Sequence, residues 1–470
     1  MATPKTLGFF DLFFYAAATS LSVRWISVAA AAGPASLPIW ILAVVIFSAP
    51  LIIATAELTT RFEGEGGVYA WTRETFGPFW GFLAGWLYWT CNLPFYAGML
   101  VFMINLGAAG LGPTGQDLIG EPLAVMALAV VLATLVGALH CFGLGSGKWL
   151  SNLGAIASVT FVTMLTVVGF SIAFQKGPAT DFAHASYAPP LNANGAILWA
   201  TMVFGVGGSE ALAFLRNDVR GGMRTILRVL ALMAIVQIAF YLCGTSAMLS
   251  ILTPEGATRL SGLPDALVQG LEQIQLGGFA PLALLFGFLC LLGSYSAWFG
   301  VTARLPFAAG IDAFLPSAFG RRNPKTGAPT VSIIMQTIIV IVIVVLSQAG
   351  DTLKGAYDFL VAMSVLSYTL PFAFLFVVFL AVQRRAPPVG AALWRTPGGI
   401  LMARAVGVVG LAATLVAIAC TIVPSPDAAD QVGEVIKLVV ASAILIFSGV
   451  AFYLVARRKA ARRALSALTR

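Results

Sequence analysis

The chain has 470 residues, of which 59% are hydrophobic and 10% charged, and its net charge is +8. Soluble domains carry about 25% charged residues, so a soluble fold of this composition would expose apolar patches everywhere; the class is a polytopic membrane protein. The basic residues flank apolar runs instead of forming one face, which excludes nucleic acid as a partner.

A helical span needs about 20 mostly apolar residues. Twelve runs qualify: 9–32, 37–60, 77–110, 123–141, 150–174, 196–215, 226–250, 277–305, 329–348, 357–382, 403–424 and 434–456. They are continuous rather than alternating, which excludes spanning β-strands. Only Lys5 precedes the first run, and that run is long enough to span, so it reads as a membrane helix and not as a cleaved leader. Toward its middle it becomes small and polar, with Thr19, Ser20 and Ser22, and Arg24 follows. The third and eighth runs are long enough to imply tilt.

The sixth run contains VFGVGGSE, residues 203–210. Gly205, Gly207 and Gly208 permit non-helical backbone. A break there frees N–H and C=O groups that lipid cannot satisfy, so it must line a cavity, where those groups can serve as ligands. Close helix packing through small residues is the competing reading. Among ionisable residues, Arg24 and Glu210 lie deep in their runs, whereas Asp11, Glu57, His140 and Arg304 lie near ends. A charge at mid-bilayer costs about 2.5–3.5 kcal/mol or more, and such residues face a bundle interior or a wet cavity. Runs one and six are each the first of five, and both carry a small or polar interruption followed by a charge. Interruptions in corresponding positions point to an inverted-repeat transporter with its site near the midplane.

The loops give an orientation. With the N-terminus inside, the cytoplasmic side receives Lys5, Arg61, Arg73, Lys148, Arg216, Arg220, Arg224, Arg228, Arg304, Arg321, Arg322, Lys325, Arg384, Arg385, Arg395 and Arg404. Lys176, Arg259, Lys354 and Lys437 fall outside, in accord with the positive-inside rule. Twelve spans return the C-terminus to the cytoplasm in a multi-pass plasma (cell inner) membrane protein. Residues 1–456 form one transmembrane domain and 457–470 a basic tail, which reads as a stop-transfer anchor, with anionic lipid as the alternative partner. Cys91, Cys141, Cys243, Cys290 and Cys420 lack metal-ligand spacing, so no metal or cofactor is expected. His140 and His184 stand far apart and no nucleotide motif is present, which argues against an enzyme; a channel would need rings of polar residues.

Three stretches resemble the amino acid–polyamine–organocation permeases. They are AELTTRFEGEGGVYAWTRETFGPFWGF (56–82), FGVGGSEALAFLRNDVRGGMRTILR (204–228) and ARLPFAAGIDAFLPSAFGRRNPKTGAPTVS (303–332), the last with Arg304, Asp312, Leu315-Pro316 and Gly327-Ala328-Pro329. The resemblance implies an all-α, LeuT-like fold of twelve helices with helices 1 and 6 broken. It comprises a five-plus-five inverted repeat, about 9–174 and 196–382, with extra helices over about 403–456. It also implies alternating access and a secondary active carrier of amino acids, by proton-coupled symport or exchange. By position, it assigns substrate contacts to Tyr88, Cys91, Asn92 and Tyr96 in span three, to Phe204 in span six and to Trp298 in span eight. Phe204 closes over substrate, Trp298 is an aromatic gate, and Glu210 carries the coupling proton. The two interruptions themselves add Thr19, Ser20, Ser22, Val23 and Arg24 in span one and Gly205, Gly207 and Gly208 in span six as candidate substrate contacts.

This chain departs from the family in span one, where Ser20 to Arg24 replaces a Gly-x-Gly break. The start of the second half-helix could still offer N–H groups to an anion, and Arg24 adds a positive charge. Glu210 is the deep acid, so neutral or acidic amino acids are favoured over polyamines or cationic amino acids. Span five has no lysine to stand in for sodium. Ser294 and Ser296 could serve as sodium ligands, but a proton is favoured.

Overall fold

The computed structural model describes residues 7–62, 67–257, 260–303, 305, 314–347, 353–385, 394–424 and 430–468. Lys5, Arg259, Arg304, Asp312 and the glycine-rich 63–66 lie outside them. Among the described residues the secondary structure is helical throughout, apart from one isolated bridge between Leu7 and Val219.

Among the described residues, eleven helices are long and apolar enough to cross a bilayer, and the pair Phe9–Ser20 and Arg24–Ala30, bent by 42°, makes a twelfth span, the first in chain order. Spans 2 to 5 are Gly33–Arg61, Pro78–Ala109, Pro122–Cys141 and Trp149–Lys176. Spans 6 to 10 are Ala193–Arg216, Met223–Ile251, Gly277–Thr302, Thr330–Ser347 and Tyr357–Val382. Spans 11 and 12 are Gly399–Thr421 and Gln431–Lys459.

Several inter-span contacts recur when each of spans 1–5 is exchanged with its counterpart five further on. Span 5 packs on span 8 as span 10 packs on span 3; span 1 packs on span 7 as span 6 packs on span 2; span 1 meets span 5 as span 6 meets span 10. Spans 11 and 12 are added outside this pattern, span 11 against 2, 6 and 10 and span 12 against 3 and 10. Where spans 5 and 8 cross, a Cβ on Gly154 would fall on the Gly293 Cα, and one on Gly293 on the Gly154 Cα. Only glycine lets the two backbones touch there.

Several spans depart from regular α-helix, each for a local reason. Span 1 stops at Ser20, and Leu21 is extended (φ −115°, ψ 121°). Span 6 is α-helical over Ala193–Gly205, then turns through Gly208 at φ +104°, in the left-handed region that favours glycine. It resumes over Ser209–Asp218 as a 3-10 helix, tighter than an α-helix. Span 2 contains a π-helical segment, Val44–Ser48, just before Pro50. Span 3 is interrupted at Cys91, because Pro94 has no N–H for the carbonyl of Thr90.

Candidate functional site

Both breaks face each other in the middle of the bundle. The Phe9–Ser20 half of span 1 packs on the 3-10 half of span 6, and the Arg24–Ala30 half packs on Ala193–Gly205. A Cβ on Gly208 would fall on the Thr19 carbonyl oxygen. The absence of a side chain at Gly208 therefore permits contact between the two breaks.

Span 7 supplies the hydrogen bonds that the breaks lose. Gln237 and Tyr241 lie one helical turn apart and are both buried. Gln237 Nε2 donates to Ser20 O (3.2 Å) in span 1 and to Val206 O (3.0 Å) in span 6. Its Oε1 accepts from Ser48 Oγ (2.8 Å), in the π-helical part of span 2. The Tyr241 hydroxyl donates to Gly205 O (2.8 Å) and accepts from the Ser22 N–H (3.3 Å). Its ring stacks on Trp40, with centroids 4.0 Å apart. Trp298 Nε1 donates to Thr19 O (3.0 Å).

A cavity of about 20 Å³ lies at the junction, room for about one water molecule. Span 1 lines it with Thr19, Ser20, Ser22 and Trp25, span 3 with Asn92 and Phe95, and span 6 with Phe204, Gly205 and Gly207. Span 8 contributes Ser294 and Trp298, and span 10 contributes Tyr368. Every one of these residues is buried. The Ser20 and Ser22 hydroxyls have no hydrogen-bond partner among the described residues. The Phe204 ring meets Trp25, Phe95 and Tyr368 at centroid distances of 5.1, 5.7 and 4.7 Å.

Glu210 stands behind Tyr368. Its Oε1 accepts from the hydroxyls of Tyr368 (2.7 Å) and Tyr88 (2.9 Å), and its Oε2 from the Gly208 N–H (2.9 Å). Arg24 stands behind Trp25 and Phe95. The guanidinium carbon is 4.2 Å from the Trp25 ring centroid, 5.0 Å from that of Phe95 and 5.8 Å from that of Tyr357. Arg24 is 0% exposed, and none of its three guanidinium nitrogens has a hydrogen-bond partner among the described residues. Taking such a charge out of water costs several kcal/mol, whereas each ring face returns about 0.5–2 kcal/mol.

Of the residues singled out in the sequence, Thr19, Ser20, Ser22, Asn92, Phe204, Gly205, Gly207 and Trp298 line the cavity, whereas Val23, Arg24, Tyr88, Cys91, Tyr96 and Gly208 do not. Tyr88 serves Glu210, Cys91 Sγ donates to Tyr88 O (3.3 Å), and the Tyr96 hydroxyl is 2.6 Å from Thr302 Oγ1. Val23 is buried at the start of the second half-helix. That half-helix has seven residues, so the charge beside the cavity belongs to the Arg24 guanidinium and not to a helix end. Trp25, Phe95 and Tyr368 escaped the sequence reading. Phe95 was reachable, since it lies three residues after Asn92 and hence on the same helical face; Tyr368 gives no such signal.

Two helix breaks facing each other across a buried cavity in a twelve-span bundle define a membrane transporter. The chain belongs to the amino acid permease family, whose model matches residues 7–450. It is 26% identical over 427 residues to an uncharacterized transporter of Legionella pneumophila, covering 89% of this chain and 90% of that one. It is 25% identical over 312 residues to a probable agmatine/putrescine antiporter of Lactococcus lactis, covering 66% of this chain and 65% of the antiporter. Among solved structures it is similar to MhsT in complex with L-phenylalanine (TM-score 0.65, 14% identity, 89% of this chain and 100% of that one). It is also similar to the Eremococcus coleocola manganese transporter (TM-score 0.56, 13% identity, 97% and 94%). The fold is LeuT-like.

Proposed function

We propose that the chain is a secondary active carrier of amino acids, working by alternating access and favouring neutral or acidic substrates. The observation that supports this reading is the buried cavity between the two breaks, lined by unpartnered serine hydroxyls and ringed by aromatics. The Ser20 and Ser22 hydroxyls suit the amino and carboxylate groups of an amino acid, and Phe204 and Trp298 can close over the remainder. Glu210 is proposed as the proton carrier, in symport or exchange. It touches the cavity through Tyr368 and has no cationic partner among the described residues. The basic loops favour a cell-membrane protein with both termini cytoplasmic.

The names of some relatives favour a second reading, a carrier of polyamines or cationic amino acids. Against it, no carboxylate among the described residues lines the cavity, and both oxygens of Glu210 already accept hydrogen bonds. Purified protein in liposomes decides between them. Uptake of amino acids should saturate, depend on a pH gradient or accelerate with amino acid inside, and resist competition by putrescine. Flux that rises linearly with concentration, or that only amines inhibit, would overturn the proposal.

A further inference from the structure

Arg24 is charged, fully buried and without a hydrogen-bond partner among the described residues, beside a cavity lined by no acid. A guanidinium has five N–H donors in its plane and is matched by a planar, bidentate acceptor such as a carboxylate. The rings of Trp25, Phe95 and Tyr357 attract its charge but accept none of those in-plane bonds. Glu210 does not neutralise it, since no ion pair joins them. Gly98 leaves room at its edge: a methyl group there would meet Nη1 at 3.5 Å, an ordinary contact.

We propose that Arg24 is a subsite for a second carboxylate, so that the preferred cargo is an acidic amino acid carrying one net negative charge. This deepens the amino acid carrier reading and rests on it. The Ser20 and Ser22 hydroxyls serve the end of the substrate common to all amino acids. The acidic side chain then extends past Trp25 and Phe95, which line the cavity and cover Arg24 at once. A cavity of about 20 Å³ is too small for any amino acid, so substrate entry must displace part of its wall. Displacing these two rings uncovers the guanidinium. A neutral amino acid would leave the buried charge uncompensated, and a cationic one would oppose it.

The test uses the full-length protein in vesicles of phosphatidylethanolamine and phosphatidylglycerol, with uptake of L-glutamate and L-aspartate competed by L-glutamine, L-asparagine, L-lysine and putrescine. The two amides match the acids in shape and lack the charge. Wild type should prefer each acid over its amide by at least about tenfold. In R24M and R24Q the apparent affinity for the acids should fall about 100-fold, the scale of losing one partner of a buried charge pair. Affinity for the amides should stay within about threefold, and R24K should restore part of the acid preference, as a positive charge without the bidentate fork. Equal competition by glutamate and glutamine in wild type would overturn the proposal, as would an unchanged acid-to-amide ratio in R24M. Either result leaves the amino acid carrier intact. Competition by putrescine or lysine alone would overturn both readings. If the variants fail to fold, the wild-type ratio decides.

Discussion

Glu210 accepts three hydrogen bonds from two tyrosines and one backbone N–H, and all three donors fit a carboxylate. In E210Q one oxygen can still serve Tyr88 and Tyr368, but an NH₂ then meets the Gly208 N–H. One buried donor loses its acceptor, at a cost of about 1–3 kcal/mol. If Glu210 carries the proton, E210Q should also flatten the dependence of uptake on pH. Uptake measured from about pH 5 to pH 8 decides this; a wild-type profile in E210Q would reduce Glu210 to a tie between spans 3, 6 and 10. Glu210 and Arg24 were both legible in the sequence, because a charge inside an apolar run stands out. Trp25 and Tyr368 were not, and Phe95 only through its spacing from Asn92. A span apolar on all sides carries no periodic face, so an aromatic turned to the cavity cannot be told from one turned to a neighbouring helix.

The pair of breaks depends on Gln237 and Tyr241, which bond to both at once. Y241F removes the donor to Gly205 O and the acceptor for the Ser22 N–H. Each orphaned buried group costs about 1–3 kcal/mol, so Y241F should lower the thermal unfolding midpoint in detergent clearly, although a single oxygen is lost. An unchanged midpoint would mean that other groups satisfy the two breaks. The break in span 6 was visible as three glycines and the one in span 1 as a small polar stretch. The 3-10 form of Ser209–Asp218 and the π-helical Val44–Ser48 were not visible, since no residue type marks either form. The role of span 7 was only half hidden. A glutamine and a tyrosine one turn apart in a buried apolar helix are a polar pair needing partners, but which carbonyls they meet is fixed by tertiary contact alone.

Across the whole molecule, the span count and bounds were legible because bilayer thickness sets a minimum apolar length. The repeat was readable only from the placement of the two interruptions. The halves share no visible sequence identity, and the symmetry is carried by the contacts that recur, span 5 on 8 as 10 on 3 and span 1 on 7 as 6 on 2. The orientation proposed from Lys and Arg makes a simple prediction. A green fluorescent protein fused at the C-terminus should fluoresce in a bacterial host, and an alkaline phosphatase fused there should be inactive. The reverse pair of results would invert the topology and place the end of the bundle near Leu7 and Val219 outside.

A pump driven by a gradient is useful only if it does not slip, that is, if substrate and driving ion cannot cross separately. Slip requires that one half of the mechanism move while the other stays. Here the bonds from Gln237 and Tyr241 are shared: the same amide holds Ser20 O and Val206 O, and the same hydroxyl holds Gly205 O and the Ser22 N–H. Releasing span 1 alone therefore strands Ser20 O, the Ser22 N–H and the span 7 groups that held them, and each stranded buried group is penalised until it is paired again. Stoichiometric fidelity would then be a mechanical property of span 7, separable from affinity. If the carrier is proton-coupled as proposed, Q237A should bind substrate much as wild type does, yet dissipate a proton gradient in liposomes without delivering cargo.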